Sequence, residues 1–219
     1  GFAAALAVLA DLTDGHIEKI IRTGTVTRCD VAIDIEGLAA KDVIARSKGQ
    51  QKFGIYTDRY GNPETLYLGA QRGNRTVIYT RSEIPGIPIL RVERRLKDRI
   101  PFEQLAFLPN PFSRVQLVDV DILRPHVGNV DADLFFDSVR LRGFTHALKK
   151  LPRGRRRATE EALRDPANSL LSTIDDLWLD WPRLLVSYGF GYLLTLPGSE
   201  TPTAPRLPEP AANALATLW

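Results

Sequence analysis

Between Thr25 and Leu96 the chain alternates apolar and polar residues in short runs, each cut off by glycine, proline or asparagine. The runs are "TVTRCDVAIDIEG", "KFGIYTDRYG", "TLYLGAQ", "RTVIYTRSE" and "ILRVERRLK". A period of two buries one face only when the backbone is extended, so these runs predict strands. "RYGNPE", "RGN" and "IPGIP" supply the turns between them. "LAAKDVIARSK" predicts a helix crossing the core side. Strand, helix, then four closely spaced strands is the order of an α+β fold: an antiparallel or mixed sheet of about five strands with helices on one face.

Before and after this region the period changes. "AALAVLADLTDGHIEKIIRTG" has helical spacing and ends at Gly24. "IPFEQLAFL" predicts a short helix, and "PNPFSRVQLVDVDIL" ends in an extended piece. "DADLFFDSVRLRGFTHALKKLP" predicts one amphipathic helix with a stripe through Leu134, Phe135, Val139 and Leu141. "RGRRRATEEALRDP" reads as a basic loop entering a helix, and "SLLSTIDDLWLDWPRLLVSYGFGYLL" as helical and packed back on the domain. The expected organisation is an α+β domain over 1–150, the basic loop and helices over 151–196, and a Pro/Ala-rich extended tail over 197–219.

Charge narrows the partners. Arg72–Arg99 carries eight basic and three acidic residues, and Arg142–Arg164 eight and two, although the whole chain has a net charge of only +3. Positive charge concentrated in two segments suits a surface that meets polyanions; two ordinary solvated faces are the alternative. No apolar run is long enough to span a membrane, and "GFAAALAVLA" lacks the basic start of a signal peptide, so no membrane partner is expected. The single cysteine, Cys29, excludes an internal disulfide and fits a reducing compartment such as the cytoplasm. Methionine is absent even at position 1, as expected of a piece of a longer protein.

Three scattered histidines and one cysteine give no zinc or serine-triad pattern, and no phosphate-binding glycine loop is present. What remains is carboxylates, arginines and tyrosines on adjacent strands. On the first strand Val26, Arg28, Asp30, Ala32 and Asp34 share one face, either a working face or a solvated one. Glu93 stands mid-strand among arginines in "LRVERRLKDR". It belongs either to a surface ion-pair ladder or to a metal-ligand set with Asp30 and Asp34. Carboxylate oxygens suit Mg²⁺ or Mn²⁺. Tyr79, followed on the same face by Arg81, is either an ordinary half-buried strand tyrosine or a nucleophile toward a phosphate.

The succession "TRCDVAID", "ETLYLGAQRGNRTVIYTR" and "ILRVERRLK" resembles the replication initiation factor family, the trans-acting rolling-circle initiators of plasmids, phages and conjugative elements. Arg28, Asp30, Ala32 and Asp34 match that family's Arg-x-Asp-x-Ala-x-Asp strand. Thr65 through Gly69 match its next strand, Ile78 and Tyr79 its tyrosine strand, and Arg91 to Glu93 its Arg-hydrophobic-Glu strand. Thr80 and Arg81 stand where the family has Asp or Asn and then Lys, and Val77 replaces a common arginine, with Arg75 two residues earlier.

The resemblance implies nicking and rejoining of one DNA strand at an origin, single-stranded or cruciform, through a covalent 5′-phosphotyrosine on Tyr79. Arg81 would assist, and Asp30, Asp34 and Glu93 would hold Mg²⁺ or Mn²⁺. Arg28, Arg75, Arg91, Arg94, Arg95, Arg153, Arg155, Arg156 and Arg157 are the expected DNA contacts. A homodimer and a host helicase are the protein partners this implies. The rival expectations are a repressor or accessory protein of the same fold without catalysis, a relaxase of a mobile element, and a protein-interaction domain with no nucleic acid partner.

Overall fold

The computed structural model describes residues 8, 11–12, 23–49, 52–84, 86–128 and 132–187. Most of the expected N-terminal helix and all of the tail over 197–219 lie outside them. In chain order the elements are β1 (Thr25–Val26), β2 (Cys29–Glu36), β3 (Val43–Ser47), β4 (Phe53–Thr57), β5 (Pro63–Leu68), β6 (Arg75–Ile84), β7 (Ile87–Leu96), β8 (Ile100–Pro101) and β9 (Val115–Asp119). The helices are α1 (Val120–Val127), α2 (Ala132–Arg142), α3 (Phe144–Lys150), α4 (Arg153–Arg164), α5 (Ile174–Leu179) and α6 (Trp181–Leu185). Two compact units result: Gly1–Cys29 with Lys97–Pro111 and Asp175–Trp219, and Asp30–Leu96 with Phe112–Ile174.

In the second unit the expected α+β architecture is present. A five-stranded antiparallel sheet has the order β2-β7-β6-β5-β4. The β6 core "TVIYT" is an unbroken β-branched and aromatic run, the composition a pleated surface favours. β6 turns into β7 at Ile84↔Ile87, with Gly86 at φ +88°, a conformation glycine adopts without steric cost. The register sets the parity of the faces. Arg75↔Arg95, Val77↔Glu93 and Tyr79↔Arg91 lie on one face; Thr76↔Arg94, Ile78↔Val92 and Thr80↔Leu90 lie on the other. Ile78, Leu90 and Val92 are fully buried, so the second face is the core face.

The helix expected over "LAAKDVIARSK" is a 3-10 turn, Ala40–Asp42, followed by a strand. Asp42 folds back onto the Ala39 amide (2.9 Å), and the β-branched pair Val43 and Ile44 then continues extended. β3 pairs antiparallel with β9, Ile44 opposite Val118. Leu117 and Val118 are neighbours that point to opposite faces, yet both are fully buried. The ribbon is therefore covered on both sides, which erases the polar alternation that marks a strand in sequence. On one side Ile44 and Val118 join a core with Leu123, Phe135, Phe136, Val139, Leu148 and Leu163 from α1–α4.

The single helix expected over "DADLFFDSVRLRGFTHALKKLP" is two, divided at Gly143, whose φ is +84°. Its buried positions are Ala132, Phe135, Phe136 and Val139, at helical spacing; Leu134 and Leu141 are 73% and 78% exposed, not part of the stripe. The expected basic loop is also helical, since α4 starts at Arg153 directly after Pro152.

In the first unit β1 pairs antiparallel with β8. Leu105, Ala106 and Leu185 form a small core flanked by Cys29, Phe102 and Trp181. Trp178 and Trp181 stack at 4.6 Å, and their indole N–H groups donate to the carbonyls of Leu108 (2.7 Å) and Leu105 (2.8 Å). No helix among the described residues is long and apolar enough to cross a membrane.

Candidate functional site on the sheet face opposite the core

The face opposite the core carries Asp34 from β2, Arg91, Glu93 and Arg95 from β7, and Arg75, Tyr79 and Arg81 from β6. Strand order explains their meeting, because β7 lies between β2 and β6. Arg91 holds Asp34 with a two-pronged guanidinium–carboxylate fork: Nε donates to Oδ1 at 2.7 Å and Nη2 to Oδ2 at 2.6 Å. Arg81 approaches the same carboxylate at 3.7 Å. Glu93 takes an ion pair from Arg95 on Oε1 and a hydrogen bond from the Tyr79 phenol on Oε2 at 3.4 Å. Arg91 is only 6% exposed. The hydrogen bonds that Arg91 donates to Asp34 raise its pKa above the ordinary guanidinium value; burial acts in the opposite direction, and the neighbouring Tyr79 oxygen adds to the rise.

Tyr79, Arg81, Asp34, Glu93, Arg91, Arg95 and Arg75 thus come together. The other expected site residues lie elsewhere. Asp30 is exposed near the start of β2. Arg28 lies in the break between β1 and β2. Arg94 is 8% exposed on the core face, where it donates to the Thr76 hydroxyl at 2.9 Å. Its place follows from parity: between Glu93 and Arg95, it must point away from both. Arg156 donates to the Leu148, Lys149 and Leu151 carbonyls at 3.0, 3.1 and 3.2 Å, closing the end of α3. Arg155 lies against Gly128, where an added Cβ would meet its guanidinium at 2.5 Å. Arg157 pairs with Glu161 one turn on at 2.7 Å, which raises its pKa, and Arg153 is exposed.

An open cavity of about 460 Å³ adjoins Tyr79, with Lys41, Asp58, Asn62, Glu64 and Thr80 in its lining. Asp58 accepts from the Asn62 side chain at 3.0 Å and from the Asn62 and Tyr60 amides at 2.8 Å. Those bonds, the Asn62 side chain first, hold its pKa below the usual carboxylate value. The Thr80 hydroxyl accepts from the Ala40 amide at 2.9 Å, tying β6 to the 3-10 turn. Asn62 and Glu64 belong to the turn "RYGNPE" and Thr80 to the tyrosine strand, whereas Lys41 and Asp58 belong to no motif.

The divalent ion implied by the resemblance needs carboxylate oxygens with free lone pairs facing one point. Both oxygens of Asp34 are taken by Arg91, and both of Glu93 by Arg95 and Tyr79. Among the described residues no three His, Cys, Asp or Glu side chains gather. As arranged, this donor set does not fit such an ion. Manganese is therefore expected to leave the melting temperature unchanged. A rise abolished by Glu93→Gln would show that the ion displaces Arg95.

Fold and site together define an α+β domain that carries a tyrosine among arginine-held carboxylates on the sheet face opposite the core. No protein-family model matches the chain, and no curated protein matches it. The resemblance to rolling-circle initiators rests on the motif residues alone.

Proposed function

We propose that this protein nicks and rejoins a DNA strand through Tyr79, as a replication initiator of the rolling-circle type. The observation that carries the reading is the convergence of Tyr79 and Arg81 from β6, Arg91 and Glu93 from β7 and Asp34 from β2 on one face. A tyrosine hydroxyl keeps its proton up to about pH 10, so it needs a base and a cation to attack at neutral pH. Glu93 is the base within reach, and Arg91 is the cation beside the phenol oxygen. In the proposed step the phenol proton passes to Glu93 and the oxygen attacks phosphorus. The P–O3′ bond breaks, the 3′ oxygen takes up a proton, and the 5′ phosphate stays on Tyr79. Arg81 and Arg95 would offset charge developing on the phosphate oxygens. Reversal with a second 3′ hydroxyl rejoins the strand.

The test is a denaturation-resistant adduct. The protein is incubated with single strands labelled at the 3′ end, the end that stays with the 5′-phosphotyrosine, covering its own coding region and flanks, with and without Mg²⁺ or Mn²⁺. Label is expected on the tryptic peptide that contains Tyr79; label on no peptide under any condition sinks the proposal. A second reading, a DNA-binding protein of this fold without catalysis, draws on the arginine-saturated carboxylates and on Thr80, whose hydroxyl is turned to the Ala40 amide. It predicts DNA binding without an adduct.

A further inference from the structure

The face of Tyr79 continues to an exposed edge at β4. The register places Thr65 opposite Tyr79 and Tyr67 opposite Val77, and across the next strand pair Tyr56 opposite Thr65 and Gly54 opposite Tyr67. Tyr56, Tyr67 and Arg75 therefore share the face of Tyr79. The Arg75 guanidinium lies over the Tyr67 ring at 3.9 Å, and the Tyr56 ring meets Tyr67 edge-on at 5.4 Å and 75°. Tyr56 is 66% exposed, a large apolar area left in water on an edge strand. Gly54, between the two tyrosines in the pattern, adds no side chain above the sheet.

We propose that Tyr56, Tyr67 and Arg75 form a platform on which the bases of single-stranded DNA stack on their way to Tyr79. An exposed ring braced by a second ring is a surface a base can cover, and any base has a π-face to offer. The charge of the face fits the occupant. Arg75, Arg81, Arg91 and Arg95 outnumber Asp34 and Glu93, so a polyanion is attracted while the rings engage its bases. A duplex hides its base faces and would gain only the charge. The proposal deepens the nicking function, on which it rests for the direction of the strand, but stacking needs no chemistry at Tyr79.

Binding of a fluorescein-labelled oligothymidylate, measured by anisotropy at low salt beside a hairpin duplex, separates the two. Tyr56→Ala is expected to weaken the single strand roughly tenfold, within the range of about 5- to 150-fold that loss of one stacked base gives. Duplex affinity should stay within about twofold by the same account, in which paired bases do not stack on the ring. Tyr56→Phe should behave as wild type, and because position 56 is exposed both variants should fold; circular dichroism checks this. Equal affinity of wild type and Tyr56→Ala for the single strand, or equal loss for the duplex, overturns the platform. Tighter binding of oligouridylate than of oligothymidylate overturns DNA as its occupant. Tyr56-dependent binding without any adduct sinks the nicking function and leaves the platform. An adduct with Tyr56-indifferent binding sinks the platform and leaves the nicking function.

Discussion

Tyr79→Phe is expected to abolish the covalent protein–DNA adduct completely while leaving single-strand affinity within a few fold. The substitution removes one oxygen. It deletes the attacking atom and the 3.4 Å hydrogen bond to Glu93, but it keeps the ring and the register with Arg91. A bond of that length is worth at most about 1 kcal/mol of stability, so the variant should fold. The competing nucleophiles are Tyr56, Tyr60 and Tyr67. Tyr56 and Tyr60 are more exposed, and Tyr67 is covered by Arg75. None of the three has a carboxylate base and a buried guanidinium described at its oxygen, as Tyr79 does. Denaturing gels of the adduct formed by each Tyr→Phe variant decide the matter. An adduct that survives Tyr79→Phe and vanishes with another of these substitutions would assign the role to that residue.

Asp34→Ala is expected to cost about 3 kcal/mol, the low end of the usual loss when one partner of a buried, hydrogen-bonded pair is removed, because Asp34 itself is half-buried. Arg91 is 6% exposed and could not return to water without leaving the sheet face. Arg81 stands close to the same carboxylate, so the alanine also brings two unbalanced guanidinium groups together. Urea unfolding followed by fluorescence should show the midpoint falling by roughly 1 M or more at ordinary slopes. Removing both charges tests the cause. Asp34→Ala with Arg91→Leu should recover much of the loss, because no buried charge is left unpaired. A double variant as unstable as the sum of its parts would mean that the fork is not what Asp34 contributes.

Much of the sheet was legible in the sequence, because β2, β4, β5, β6 and β7 each keep one polar face and so keep period two. β3 was not. Val43 and Ile44 are both buried, and a strand covered on both sides looks like a helix segment when its flanks are "LAAKD". The break at Gly143 was written in the chain, but helical spacing on both sides of it suggested one helix, and Leu134 and Leu141 suggested a stripe that the structure leaves in water. At the site, the same alternation that grouped Arg91, Glu93 and Arg95 sends Arg94 to the core; grouping the arginines by composition overrode the parity. The fork between Asp34 and Arg91 was beyond local reading, since it exists only because β2 lies beside β7. Arg156 illustrates the same limit: a basic residue in a basic run, its guanidinium taken up by carbonyls of the preceding helix.

The ribbon of β3 and β9 dictates an order of folding. β4, β5, β6 and β7 are joined by short turns and can pair as they emerge, each hairpin closing a small loop. β3 must wait, extended and apolar, until that entire meander and the segment after it have been made, because its partner is β9. Closing so long a loop comes at an entropic cost that only the finished sheet and the helices α1–α4 can offset. On the ribosome, a chain stopped before Val115 therefore holds the β3 backbone unpaired and Ile44 without its helical cover, a sticky edge open to chaperones or to a second nascent copy.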